Sequence, residues 1–134
     1  MKTRRSKCPL ANSLDIFGDR WTLLILRDMI FAGKKQYREF LQSSEKISTN
    51  ILADRLQRLV NEDILCKEVH PENKKVFDFY FTSKGLELIP IVVDIVAWGA
   101  RYLPMSYVPE DFLGQVDKDR DGLIQRLKER LIRS

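Results

Sequence analysis

Two cysteines and one histidine are all that this 134-residue chain has of the most chemically versatile side chains. Cys8 and Cys66 are too few for a disulfide scaffold, so the expectation is a reduced compartment, the cytoplasm. His70 together with two thiols does not make the multi-ligand set that metal sites in small binding modules use; it reads as an exposed residue at a strand end. A Ser-His-Asp or Cys-His set with supporting partners, a P-loop and a Gly-rich dinucleotide fingerprint are all missing. The expectation is no catalytic residue, no metal and no cofactor. No apolar run reaches the roughly 20 residues that a bilayer demands: the longest, "LIPIVVDIVAWGA", is interrupted by Pro90 and Asp94. The N-terminus, "MKTRRSKCPLANSLDIFG", starts basic but has no apolar core of signal-peptide length before its first acidic residue. No membrane partner is expected. There is no internal repeat and no low-complexity linker.

What is present is the balance of a soluble globular domain, with 44% apolar and 31% charged residues. The length suits one domain with its own core. A formal net charge of +4 permits a polyanionic partner without demanding one.

Periodicity divides the chain into elements. Pro9 suits the first position of a helix running to Phe17 and stopping at Gly18. In "DRWTLLILRDMIFAG", Asp19 is the expected cap, Trp21, Leu24, Ile25 and Ile30 supply apolar spacing, and Gly33 ends the helix. "QYREFLQSS" reads as a short third helix with Tyr37, Phe40 and Leu41 inward. In "KISTNILADRLQRLVNEDIL", Ser48 is a good N-cap, and Ile47 with Leu52 occupies the positions of a hydrophobic staple. Leu52, Leu56, Leu59 and Val60 share one side of that fourth helix; Asn50, Asp54, Gln57, Arg58 and Asn61 lie opposite. "ILCKEVH" and "VFDFYFT" read as strands joined by the polar loop "PENKK", with Phe77, Phe79 and Phe81 on one face. Ser83 is the expected cap of a long helix, "KGLELIPIVVDIVAWGARYL", kinked at Pro90. The tail ends in a basic amphipathic helix containing Leu123, Ile124, Leu127 and Leu131. A tight helix pair followed by a two-stranded hairpin is the winged helix-turn-helix arrangement, of α+β class.

Several stretches carry a more specific likeness. "CPLANSLDIFGDRWTLLILRDM", then "REFLQ", "IS…ILADRLQRLVNEDIL" and "FTSKGLELIPIVVDIVAWG" resemble, in order and spacing, the HxlR family of bacterial transcriptional regulators. The resemblance runs from about Cys8 to Gly99. It implies a winged helix-turn-helix domain over residues 1–105, dimerising through its terminal helices, and leaves residues 106–134 as a tail without family pattern. It also implies a homodimeric, sequence-specific regulator of transcription on double-stranded DNA. "LIPIVVDIVAW", apolar almost all round, fits a helix covered by a second subunit; the alternative is a central helix of a monomer. A two-fold dimer predicts a palindromic operator.

On that reading the fourth helix enters the major groove by its front end. Asn50 can pair two ways with adenine, Thr49 can offer a methyl to thymine, and Ser48 joins them at the tip. Arg58 is placed to meet phosphate or guanine, and Arg55 to reach the backbone with its stem packed. Asp54, on the same face, repels phosphate. Lys74 and Lys75 of the wing loop, and Lys34, Lys35 and Arg38 before the fourth helix, are candidate phosphate contacts. The plainer alternative for each is a cap residue or a solvated charge. Cys8 stands at a helix start near Arg4, Arg5 and Lys7, surroundings that favour a thiolate; with the resemblance it becomes a candidate redox or electrophile sensor, against an unreactive cap cysteine. Cys66 reads as a small core residue. "DKDRDGLI" resembles half a calcium loop, but Lys128 stands where a bidentate Glu belongs, so a turn plus N-cap is expected instead. A different class of function, a winged-helix protein-interaction module, is separated from the first by salt-dependent DNA retardation.

Overall fold

The structure, a computed structural model, describes residue 4, residues 6–103, residue 108 and residues 111–133. Arg5, counted among the cations near Cys8, and the expected boundary at Met105 lie outside the described residues.

Helix α1 (Pro9–Phe17) opens on its proline, and α2 (Arg20–Ala32) begins where the Asp19 side chain accepts the Thr22 amide. Gly33 ends α2 in the left-handed region, at φ 67°. A short α3 (Tyr37–Phe40) is closed by a reciprocal capping box between Gln36 and Glu39. Helix α4 (Thr49–Asn61) starts at Ser48, whose hydroxyl accepts the Ile51 amide. Its far end is a Schellman turn made without glycine. Asp63 takes φ 60°, its amide reaches the Val60 carbonyl at 3.1 Å, and the Ile64 amide reaches Leu59 at 2.9 Å. That turn aims the chain straight into the first strand.

Strands β1 (Leu65–His70) and β2 (Asn73–Phe81) form an antiparallel hairpin, Leu65 opposite Phe81, with an irregularity at Val69/His70. Only Pro71 and Glu72 remain between them, so the expected five-residue loop is shorter. Lys74 and Lys75 belong to β2, because the strand pairing runs on past the aromatic residues. Phe79 and Phe81 are buried as period two requires, but Phe77 is exposed, since β2 has by then left the core.

The expected long, kinked helix is two helices. Thr82, not Ser83, caps α5 (Ser83–Leu86), accepting the Gly85 amide. Pro90 then sits in the first turn of α6 (Ile89–Tyr102), where its missing N–H costs nothing. The Thr-Ser-Lys-Gly stretch wraps the end of α4: the Thr82 hydroxyl donates to the carbonyls of Asp63 and Ile64, and Lys84 donates to that of Glu62. Asp94, which interrupts the apolar run, is exposed and makes a two-point pair with Arg120 at 2.8 and 2.9 Å. Helix α7 (Phe112–Leu131) breaks at Asp119, whose carboxylate accepts the Gly122 amide at 3.0 Å, the cap read in "DKDRDGLI". The other aspartates of that stretch pair with Arg101 and Arg120.

One core joins Ile25, Leu26, Met29 and Ile30 of α2 to Leu52, Leu56 and Leu59 of α4. Phe79 and Phe81 of the hairpin and Ile89, Val92 and Val93 of α6 complete its centre. Leu123, Ile124 and Leu127 of α7 enter the same cluster, so the tail packs on the domain. Each such side chain contributes about 1.5–3 kcal/mol by its removal from water. Among the described residues no helix is long and apolar enough to cross a membrane.

Candidate nucleic-acid interface

Ser48, Thr49 and Asn50 stand exposed at the front of α4, while Leu52, Leu56 and Leu59 behind them are buried. The helix is therefore presented by its leucines, with its leading amides and polar side chains outward. Tyr37 of α3 was expected to point inward. It is half-buried, and its hydroxyl donates to the Thr49 carbonyl at 3.0 Å, fixing the tip of α4. This contact spans a turn between two helices, and nothing local in the sequence signals it.

Ahead of α4, Arg27 makes two hydrogen bonds to Glu45, at 2.7 and 2.9 Å, and two to the buried Asp28. The turn leading into α4 is thus tied to α2. The Arg27 guanidinium holds the Glu45 carboxyl down at about 2, against an ordinary 4.5. Because the folded value is depressed, the stability that Glu45 contributes is complete above about pH 4.5 and is lost as pH falls toward 2. We expect Glu45→Gln to be about 1–3 kcal/mol less stable than the parent at pH 6. The gap should close as both are melted at successively lower pH; a gap that stays constant down to the acid limit would separate the effect from this pair.

The predicted contact residues fall into two groups. Arg58 is exposed on the outer side of α4, with its Nε 2.9 Å from Asp54. Arg55 is held differently: Nε donates to Asp19 at 2.9 Å and a terminal nitrogen to Asp54 at 2.6 Å. Asp19, already the cap of α2, thereby also pins α4. Burial pushes its carboxyl up, but the Arg55 and Thr22 hydrogen bonds outweigh that and hold it below the usual range. Asp54, whose charge opposed a phosphate partner, is answered by both arginines.

Arg38 and Lys75 line a groove of about 400 Å³ between α3, α4 and the hairpin, with Tyr37, Gln57, Lys67 and Phe77. Lys67 sits over the Phe77 ring at 4.2 Å. The sequence pattern puts Gln57 on the outer face of α4, but no local signal marks its share, or that of Lys67 and Phe77, in a groove with the hairpin. Lys74 is exposed beside Lys75. Lys34 is turned away: its Nζ lies 3.3 Å from Asp28 and 3.4 Å from the Ser43 hydroxyl. Lys35 is exposed but lines a different cleft, against the C-terminal segment.

The hairpin is fastened by a buried carboxylate. Asp78, 1% exposed, accepts from Gln36 at 3.0 Å and lies 2.8 Å from His70 Nδ1. His70 is therefore not the simple exposed end residue of the sequence reading. Burial pushes Asp78 up, yet hydrogen bonds from His70 and Gln36, aided by the charges of His70 and Lys35, hold it below the usual carboxylate range. The Phe79 amide also donates to the Lys35 carbonyl at 2.8 Å, which sews the start of the helix pair to the wing.

The HxlR-like helix-turn-helix family model matches residues 16–107. The chain belongs to this family. It is 30% identical over 95 residues to the HTH-type transcriptional regulator YdeP of Bacillus subtilis (strain 168), covering 71% of this chain and 73% of that protein. The redox regulator HypR in its oxidised form superposes with a TM-score of 0.63 at 28% identity, covering 70% of this chain and 96% of HypR. Diamide-treated YodB from B. subtilis superposes at 0.54 with 29% identity, over 71% and 94%. The HxlR-like chain is thus a helix-turn-helix transcriptional regulator with a winged-helix fold, and this family is not one of enzymes.

Proposed function

We propose that this regulator binds a palindromic DNA operator as a homodimer, α4 reading the major groove and the β1–β2 hairpin lying beside it. The observation that carries the reading is the exposed tip of α4. Ser48, Thr49 and Asn50 face base edges, Arg58 and Arg38 flank them, and Lys74 and Lys75 meet phosphate along the wing. Arg55 and Lys34 act indirectly: their charges are engaged by Asp19 and by Asp28, and they hold α4 and the turn before it in place. Residues 1–105 form the DNA-binding and dimerising unit, residues 106–134 are a tail whose helix α7 packs on it, and the cytoplasm is its place of work.

The partner of the dimer is a second copy. Ile91, Ile95, Trp98 and Tyr102 recur every three or four residues along α6 and are exposed, and Leu10 and Leu14 of α1 are exposed as well. Monomers rarely leave so long an apolar stripe open to water. In a two-fold dimer the two copies of α4 reach half-sites about 34 Å apart.

Cys8 supports a response to oxidants or electrophiles. It is exposed and forms the N-cap of α1, the helix that carries Leu10 and Leu14. Modification of its thiol at that place alters the packing of the dimer and with it the half-site spacing. The similarity to a named redox regulator and to a diamide-treated structure favours this reading.

Retardation of the promoter fragment upstream of the protein's own gene, with and without diamide, tests both parts. Asn50→Ala is expected to lower operator affinity about tenfold and to relax the preference at one base pair. Lys75→Ala is expected to weaken all sequences alike and to reduce the salt slope by about 1. Cys8→Ser is expected to bind normally and to ignore diamide. Unchanged affinity and footprint for Asn50→Ala overturns the groove assignment, and a diamide response kept by Cys8→Ser overturns the sensor.

A further inference from the structure

The C-terminal segment closes a second cleft, of about 520 Å³, against the end of α2 and the root of the hairpin. Its far wall comes from residues 130–133, beyond the stretch that matches the family model. We propose that this cleft binds a small aromatic anion, of the class of single-ring carboxylates.

Three observations carry the assignment. The first is size and lining: the cleft falls within the range of small-molecule sites, about 300–1,000 Å³, and Met29, Phe79 and Tyr80 supply an apolar, aromatic floor. The second is charge. Lys34, Lys35, Arg130 and Arg133 all line the cleft, and no acidic side chain does among the described residues. Lys34 is answered by Asp28 and Arg133 by Glu68. Lys35 and Arg130 have no carboxylate within ion-pair distance among the described residues. The nearby Asp78 that Lys35 influences is already engaged by His70 and Gln36. Two positive charges are therefore left facing one hollow. The third is preorganisation. One Arg130 nitrogen donates to the Ile30 carbonyl at 2.8 Å, which leaves further N–H groups of the same planar fork for a carboxylate. Lys35 and Arg133 both stand by the Tyr80 ring, at 5.6 and 5.2 Å from its centroid. A carboxylate bridging Lys35 and Arg130 would lay its ring on the aromatic floor.

The position gives such a ligand access to the wing. Phe79 lines both this cleft and the groove beside α4, and its amide is bonded to the Lys35 carbonyl. The occupant lies one layer of side chains from the candidate DNA surface.

Calorimetry and amide chemical-shift titration of the full chain, without DNA, test the site independently of the DNA reading. Benzoate is the probe, with benzamide as its neutral counterpart and acetate as a ringless anion. Saturable binding of benzoate is expected, with shifts at Lys35, Tyr80 and residues 130–133, and with benzamide and acetate each at least about tenfold weaker. Arg130→Gln keeps an amide donor for Ile30 while removing the charge; it and Lys35→Gln are each expected to weaken benzoate about tenfold. Equal binding of benzamide, an unchanged dissociation constant in both variants, or no saturable benzoate response overturns the proposal.

Discussion

A Trp98→Glu protein is expected to sediment as a monomer at micromolar concentration and to bind its operator about a thousandfold more weakly than the parent. Trp98 is 60% exposed and Ile95 51% exposed, and both sit on the same stripe of α6 as Ile91 and Tyr102. The opposite side of α6 supplies Ile89, Val92, Val93 and Ala97 to the core. The substitution therefore touches the outer face alone and leaves the monomer's interior intact. What it loses within the chain is the tilted contact with the Tyr102 ring, 5.4 Å between centroids. In a two-fold interface each residue is used twice, so one substitution removes two anchors. At about 2 kcal/mol or more per anchor the sum is roughly 4 kcal/mol, which is the thousandfold. A monomer has one α4 to offer and loses the second half-site. Sedimentation equilibrium and retardation measure the two halves of the result. A Trp98→Glu protein that stays dimeric would place the subunit contact elsewhere.

Gly85→Ala is the second large effect, and it acts on the fold. A methyl at Gly85 would lie 2.0 Å from the Ile64 carbonyl oxygen and 3.1 Å from the Phe81 ring. The first neighbour is backbone, and it cannot swing aside: Ile64 is held between the Schellman turn of α4 and the Thr82 hydrogen bonds. Relief requires moving α5 away from the end of the candidate recognition helix. We expect a loss of about 3 kcal/mol or more, and a melting temperature lower by roughly 10 °C. Gly33→Ala is the useful contrast. Nothing lies within 4 Å of its added methyl, and the cost there is the φ of 67° alone, about 1 kcal/mol. Thermal melts that rank Gly33→Ala as the worse of the two would show that the close approach at Gly85 is not what the position requires.

Much of this molecule was legible along the chain because the signals are local. Asp19 and Ser48 mark helix starts by accepting an amide three positions on, Pro9 by the donor it lacks, and Gly33 ends its helix through its left-handed φ and the hydrogen bond from its amide to Asp28; all four stand where the pattern places them. The Ile47 and Leu52 pair and the leucine spacing of α4 act over the same short range. Pro90 misled for a related reason. A proline inside an apolar run reads as a kink or as a first-turn residue equally well, and only the break at Glu87 and Leu88 decides between them. The polar stretch "PENKK" reads as a loop because charge favours turns, whereas pairing with β1 carries β2 back to Asn73.

Sequence alone determined the family, the order of the elements and the polar tip of α4, since each depends on residue types at fixed short spacings. Which charges remain free to meet a partner was decided by tertiary structure. Arg55 and Arg58 both pair with Asp54 of their own helix, yet Arg55 is also committed to Asp19, which lies 36 positions away. Lys34 and Lys35 are neighbours, yet one is tied to Asp28 and the other opens onto a cleft completed by residues almost a hundred positions further on. Ion pairs form through space at a few ångströms, and chain folding, rather than sequence separation, sets that distance.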